Sequence, residues 1–514
     1  MINKALHTVE EVKREEKWFK THHLKDDLKA HTVKGGFTTI AGQAISFIMT
    51  LSSTAIMARL LSPEDYGLVA MVTAVTGFVT IFKDLGLSAA IIQRDNVEHY
   101  QVSAVFWINV AISLGIASLI AVLAPVLVSF YNESRLLNIT FAFAFSIFFA
   151  GLSLQHNALM KRQMKFSSLS VIQIGSTGLS LLTGIILAYI GFGYWAIVMA
   201  TVLNPVLSTI AVWTVCDWRP AFVFKASEAS SFLKFGAGIA GFDLINYFSR
   251  NLDNVLIGKF VGSAALGLYS KAYQLLMLPI TQLRDPLNTV ALPAMSTIQK
   301  EKHKFKGFYQ RYIFTLSFFS MPLVVYLAIF SEELVLIVLG DQWTEAAFIF
   351  KLLAITAFIQ PVASTRGIVL IAAGKTKKYF IWGVANAVFV ITGFLIGVQW
   401  GVTGVAVAYA IVNYLLLLPS LYYCFHNSPI TVGIFFREIA FPMLFSLASG
   451  AVILAFKLQF SHLSGFILFP LGFILGAVFY LAPWFLSKQS KQRLDQLTDL
   501  KEMVRSKIFK KSDN

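Results

Sequence analysis

The sequence predicts an all-α polytopic membrane protein of about fourteen transmembrane helices, with both termini in the cytoplasm. Three observations carry this. The chain is 56% hydrophobic and 13% charged, with a mean hydropathy of +0.69, whereas soluble domains carry about 25% charged residues. Apolar stretches near the roughly 20-residue length that crosses a bilayer recur along the 514 residues. Lys and Arg alternate between the breaks that separate those stretches. A soluble reading would need two or three domains, because one hydrophobic core stops growing at about 250–300 residues, and their surfaces would need far more charge.

The N-terminal segment, 1–35, is charged throughout, as in VEEVKREEKWFK at 8–19. It lacks the apolar core of a secretory signal, so no cleavage is expected. Six spans follow at about 36–60, 66–90, 103–130, 136–158, 167–190 and 193–216, forming an N-lobe over 36–216. A hydrophilic linker, DWRPAFVFKASEAS at 217–230, separates them from six more at about 231–256, 262–290, 310–331, 343–373, 378–399 and 402–425. These form a C-lobe over 231–425. Two further spans at about 433–456 and 464–487 make up the 426–487 segment, before a basic cytoplasmic tail at 488–514.

The charges orient this arrangement. The even-numbered breaks and both ends hold 31 Lys and Arg, while the odd-numbered breaks hold only Arg135, Lys259 and Lys457. That asymmetry places both ends in the cytoplasm, and a single miscounted helix would scramble it. It also explains the net charge of +15, which in a soluble protein would suggest nucleic acid. No basic patch with exposed aromatics lies outside an apolar span, so nucleic acid is excluded as a partner.

Sliding the chain 200 positions against itself brings Lys34 onto Lys234, Gly36 onto Gly236, Arg59 onto Lys259, Gly67 onto Gly267 and Leu68 onto Leu268. A shift of 210 aligns Gly191 with Gly401, Ala196 with Ala406 and Ala200 with Ala410. Two six-span halves of like orientation follow, a parallel pseudo-repeat of the kind transporters use to hold substrate between lobes.

Ionisable residues inside a bilayer are expensive and generally face a bundle interior or wet cavity. In the seventh span Asp243, Asn246, Arg250 and Asp253 recur at steps of three, four and three, which keeps them on one helix face. The eighth span carries Lys271, Gln274, Gln282, Arg284, Asp285 and Asn288, with Pro279 and Pro286 expected to kink or break it. The first span carries Thr39, Gln43, Ser46, Thr50 and Ser53; the second carries Thr73, Thr76, Thr80 and Asp84; the tenth carries Lys351, Gln360 and Arg366. Four striped helices facing each other would enclose a hydrophilic cavity, cationic where Arg250, Lys271, Arg284 and Arg366 approach. Its candidate substrate contacts are those four residues with Asn246, Gln274 and Gln43. Local ion pairs, such as Arg250 with Asp243 or Asp253, offer a structural explanation of the same charges.

The two cysteines, Cys216 and Cys424, have neither the number nor spacing of a disulfide framework or zinc site. The nine histidines form no cluster, and only His156 lies near a span. No metal is expected, and no cofactor, because the Gly-rich breaks lack P-loop or Rossmann context.

SPEDYGLVAM (62–71), FKDLGLSAAIIQR (82–94), ALMKRQMKF (158–166) and NLDNVLIGKFVGSAALGLYSKAYQL (251–275) resemble the polysaccharide-transporter branch of the multidrug/oligosaccharidyl-lipid/polysaccharide flippase superfamily. Within it the chain is most like the colanic-acid-exporter type, over roughly residues 30–425. The resemblance implies fourteen helices in two lobes plus two, alternating access, and export of an undecaprenyl-diphosphate-linked oligosaccharide across the bacterial inner membrane. It implies a lipid-linked substrate as partner, possible docking of other polysaccharide assembly proteins on the charged ends, and no enzymatic step. Asp243, Asp253 and Asp84 become candidates for coupling to a proton or sodium gradient. With Pro279 and Pro286, it also suggests a gap between the first and eighth spans through which the lipid tail stays in the bilayer.

Three other readings compete. A cation-coupled multidrug exporter of the same superfamily would favour carboxylates over the Lys and Arg seen here. A polysaccharide polymerase or ligase would place its chemistry on a large outer loop, whereas the outer breaks run to only about 2–12 residues. A scaffold subunit of an assembly complex remains the third.

Overall fold

The structure, a computed structural model, describes residues 18–19, 28–77, 88, 91–92, 97–222, 247, 251–486 and 488–494. The chain falls into two compact units, Met1–Gly267 and Leu268–Asn514, and the described residues are helical throughout, with no strand. The first unit holds α1 (Leu28–Leu60), α2 (Pro63–Thr76), α3 (His99–Tyr131), α4 (Leu136–Arg162), α5 (Phe166–Tyr189) and α6 (Tyr194–Val215). It also holds α7, described over 251–260. Helix α8 (Ser263–Thr297) is followed in the second unit by α9 (Lys302–Ile329), the short α10 (Ser331–Val338), α11 (Thr344–Ala372), α12 (Thr376–Gly397), α13 (Gly401–Phe425), α14 (Val432–Gln459) and α15 (Gly465–Leu486). Ten stretches among the described residues are long and apolar enough to cross a membrane, one of them, Thr376–Phe425, holding both α12 and α13.

Local chemistry sets the boundaries. Ser62 caps α2: its hydroxyl accepts from the Asp65 amide, Asp65 returns a bond to the Ser62 amide, and Pro63 occupies the first turn where no donor is needed. Asn132 ends α3 in the left-handed conformation at φ 58°, which Asn tolerates better than most residues. Gly401, at φ +69°, allows the tight turn between α12 and α13.

In the first unit α3 packs on α4, α4 on α6, α6 on α5 and α5 on α1. In the second, α9 lies between α11 and α14, α13 packs on both α11 and α12, and α14 on α15. Two-thirds of the apolar stretch of Lys302–Ile329 and of Asp341–Ala372 (67% each) is buried in protein, against 28% for His99–Tyr131. Helices α9 and α11 are therefore the interior of their unit, while helices such as α3 leave most of their apolar surface for lipid.

One expectation is decided in part: of the kink or break expected at Pro279 and Pro286, the break is excluded, because α8 runs from Ser263 to Thr297 through these and Pro293. The three prolines are seven residues apart, which keeps them close to one face of the helix, and neighbouring protein lets transmembrane helices tolerate such lost donors. The break after the ninth span contains two short helical pieces, Ser331–Val338 and Asp341–Trp343. Its Trp343 and Val335 are fully buried, so this connection folds onto the unit.

Candidate functional site

Polar groups gather around α9 and α11 in the interior of the second unit. Tyr309 and Tyr312 on α9 are fully buried. Tyr312 donates to Asn288 Oδ1 of α8 at 2.6 Å. Tyr309 and Thr365 of α11 are 3.1 Å apart; because the Thr365 hydroxyl donates to the Val362 carbonyl at 2.6 Å, the tyrosine is the donor between them. Gln360, also on α11, donates to the Tyr409 hydroxyl of α13 at 2.8 Å.

Two arginines flank these tyrosines. Arg284 on α8 pairs with the adjacent Asp285 at 3.0 Å and is near enough to act electrostatically on Tyr312. Arg366 on α11 is half-buried, with Tyr309, Tyr379, Tyr409 and Cys424 around it. Its Nη1 donates to the Ala363 carbonyl at 2.8 Å, and among the described residues no carboxylate pairs with it. Arg366 lies about 9 Å along the axis from the C-terminal end of α11. The cluster therefore holds two guanidinium groups against one carboxylate. A guanidinium presents five donors in a planar fork suited to carboxylate or phosphate oxygens, so the chemistry offered is anion recognition.

The remaining expected site residues lie elsewhere. Lys271 donates to Gln274 at 2.9 Å, but Lys271 is about 20 Å along α8 from Arg284 and is not part of this cluster. Gln43 is exposed on α1 in the first unit. Asp253 is buried on α7 in the first unit, its Oδ1 accepting from the Asn254 amide at 2.8 Å. Asp84, Asp243, Asn246 and Arg250 lie outside the described residues. Lys351 does not extend the tenth-span stripe: it pairs with Glu332 of α10 at 2.6 Å.

Several polar groups escaped the sequence reading. Tyr309, Tyr312, Thr365 and Tyr409 gave no signal, because aromatic and hydroxyl residues are common in apolar helices. Glu438 on α14 is buried and accepts from Gln310 at 2.7 Å, with Arg493 of the tail 3.3 Å away. Arg493 thus packs onto its unit, and Trp18 does likewise in the first. Trp18 is buried under Lys165, whose ammonium stands 4.0 Å from the ring centroid, and the Trp18 carbonyl accepts from Gln163 at 3.0 Å. In the first unit Asn109 and Ser113 of α3 and Gln155 and His156 of α4 are buried, and the side chains of Asn109, Ser113 and Gln155 have no hydrogen-bond partner among the described residues. His156 stacks on Trp213 with centroids 4.4 Å apart.

Residues 56–348, from the end of α1 into the start of α11, match the family described as polysaccharide biosynthesis protein. The chain belongs to this family. Relatives include the teichuronic acid biosynthesis protein TuaB of Bacillus subtilis (strain 168), 29% identical over 410 residues covering 76% of this chain and 81% of the relative. The lipopolysaccharide biosynthesis protein WzxC of Escherichia coli (strain K12) is 22% identical, covering 75% and 79%. The succinoglycan biosynthesis transport protein ExoT of Rhizobium meliloti (strain 1021) is 25% identical, covering 78% and 79%. Among solved structures, the lipid II flippase MurJ in an inward closed conformation matches at a TM-score of 0.70 and 17% identity, covering 86% of this chain and 97% of MurJ. An inward-facing multidrug resistance MATE transporter of the MOP superfamily matches at 0.59 and 16% identity, covering 76% and 98%. This polysaccharide biosynthesis family member thus shares its helical fold with MurJ and the MATE protein. Lys271, Arg284 and Asp253 fall inside the matched region, whereas Arg366 and Tyr409 lie beyond it.

Proposed function

We propose that the protein is a secondary transporter that flips an undecaprenyl-diphosphate-linked oligosaccharide across the bacterial inner membrane for surface polysaccharide synthesis. The observation that carries this reading is Arg366, a half-buried guanidinium inside the membrane with no carboxylate partner among the described residues. An uncompensated charge within an apolar span is costly, and an anionic headgroup entering the site would supply the missing partner. Family membership supports it, as do relatives named for three different polymers. What a diphosphate carrier shares across such polymers is its phosphates and lipid, which suits an arginine site better than sugar-specific contacts.

In this reading fourteen helices span the membrane with both ends in the cytoplasm, and lobes at 36–216 and 231–425 alternate access. Arg250, Arg284 and Arg366 meet phosphate, while Lys271, about 20 Å along α8 from Arg284, lines the path of the glycan with Asn246, Gln274 and Gln43; Asp84, Asp243 and Asp253 couple to an ion gradient. The lipid tail leaves through a gap between the first and eighth spans, and crosslinking those two helices should abolish transport. No catalytic step is required. A multidrug exporter is the second reading, favoured by the MATE-like fold.

The test is the leaflet distribution of lipid-linked oligosaccharide in a strain lacking the protein. Intact repeat units accumulating on the cytoplasmic face are the expected result, and their sugars would name the glycan. Units that reach the outer face unpolymerised would overturn the proposal in favour of a polymerase. A normal distribution would favour drug export.

A further inference from the structure

Helices α3 and α4 run antiparallel out of the turn at 132–135 and pack against each other. A glycine brings them close: a Cβ on Gly151 would lie 2.1 Å from the Ser113 hydroxyl oxygen and 3.6 Å from the Asn109 carbonyl oxygen. That contact fixes their register. Gln155 stands one turn beyond Gly151 on α4, and Asn109 one turn before Ser113 on α3. In an antiparallel pair these are the same direction, which brings the two carboxamides to within a turn of each other. Asn109, Ser113 and Gln155 are each 0% exposed, and their five polar side-chain atoms have no hydrogen-bond partner among the described residues. Toward α6, by contrast, α4 is bonded directly. The Thr209 hydroxyl donates to the Phe149 carbonyl at 2.8 Å, and the Trp213 indole N–H to the Leu152 carbonyl at 3.0 Å.

A buried polar group without a partner forfeits the hydrogen bonds it made in water, and protein interiors almost always supply a replacement. The hydrocarbon around a membrane-spanning unit offers none. The side chains themselves select the class of partner. They present two carboxamide NH2 groups, two carboxamide oxygens and a hydroxyl, so donors and acceptors are mixed. A cation would take the oxygens and strand both NH2 groups, and no cluster of His, Cys, Asp and Glu that could hold a metal occurs among the described residues. An anion would take the donors and strand the oxygens. Water serves both, and a buried water makes about three hydrogen bonds.

We propose that bound water sits between α3 and α4 at this level and bridges Asn109, Ser113 and Gln155. A water bridge is nearly as good as a direct hydrogen bond, so it holds α3 to α4 although neither carboxamide bonds the other. The site belongs to the first unit, whereas the arginine–tyrosine cluster belongs to the second, and the inference holds whatever the transported substrate.

Hydroxyl radicals generated from water in place by a synchrotron X-ray pulse test this on the full-length protein in nanodiscs. Phe106 lies one turn before Asn109 and His156 is next to Gln155, with their rings 6.1 Å apart. Both are closed to bulk solvent, at 2% and 0% exposure, so their oxidation reports resident water. Oxidation of both is expected, and its loss in the double variant Asn109→Leu with Gln155→Leu, which keeps the volume and removes the amides. Exposed side chains should be oxidised equally in the two proteins, the sign that the variant is folded. Ser113→Ala, a smaller change, should lower the oxidation in part. Melting temperatures give a second readout: the double variant should lose less than the sum of its two single variants, because both amides share one bridge. Absence of oxidation at Phe106 and His156, oxidation indifferent to the double variant, or strictly additive melting shifts would overturn the bridge. A sodium-specific rise in melting temperature that the double variant abolishes would replace the water with an ion.

Discussion

Arg366 carries more of the functional argument than any other single side chain. Arg366→Ala should leave the protein inserted and folded, since no ion pair is broken, while transport falls by about tenfold or more, the order of one charge-assisted phosphate contact. Arg366→Lys should recover only part of it, because an ammonium keeps the charge without the two-pronged geometry. Leaflet-resolved transport alongside size-exclusion profiles separates these outcomes, and normal transport in Arg366→Ala would return the residue to a structural role. A second residue-scale prediction concerns the turn between α3 and α4, where Arg135 hydrogen-bonds Glu133 at 2.8 and 2.7 Å and Glu64 at 2.6 Å. The Arg135 side chain holds the Glu133 carboxyl below the usual carboxylate range. A carboxyl with a lowered folded-state pKa adds stability above its unfolded pKa and loses it as pH falls through the lowered value. Protection of the amides across 132–136, the exchange rate taken relative to the intrinsic rate at the same pH, should therefore be high at neutral pH and fall in acid, and Arg135→Ala should abolish that pH dependence. Arg366 and Arg284 could be read from the sequence because charge in an apolar stretch is conspicuous. Tyr309 and Tyr312 could not, because nothing in a run of Phe and Tyr says which hydroxyl will find a partner on another helix.

At the scale of elements, the first turns of α2 and α8 cross backbone to backbone. A Cβ on Gly67 would lie 1.7 Å from the Ser263 carbonyl oxygen, and one on Gly267 would lie 1.8 Å from that of Pro63. These are the two glycines that the 200-residue offset superimposes, and only glycine permits so close an approach. Gly67→Ala should cost about 1–3 kcal/mol, as overpacking generally does, and lower the melting temperature of the purified protein; an unchanged melting temperature would mean the crossing relaxes freely. The span positions were legible because hydrophobic length is a strong local signal. The continuity of α8 through three prolines was not, since whether a proline breaks a helix depends on what surrounds it. The helical turns after α9 were missed because that connection is too short for any periodic pattern to stand out.

For the whole molecule, the charge asymmetry makes a topological prediction. A cysteine at Ser134 should react with a membrane-impermeant maleimide in intact cells, and one at Gln299 only after permeabilisation. The native Cys216 and Cys424 are buried, so background labelling should be low. Labelling of both sites from outside would refute the orientation. Composition, span length and the distribution of Lys and Arg determined by themselves that this is a multi-pass helical membrane protein, because each is set by the bilayer acting on one stretch of chain at a time. Only the tertiary structure decided that Arg284 and Arg366 flank one tyrosine cluster while Lys271 lies apart, and that Trp18 and Arg493 each pack onto the unit they belong to. Those outcomes depend on which face of each helix meets which neighbour, and helices far apart in sequence settle that through packing.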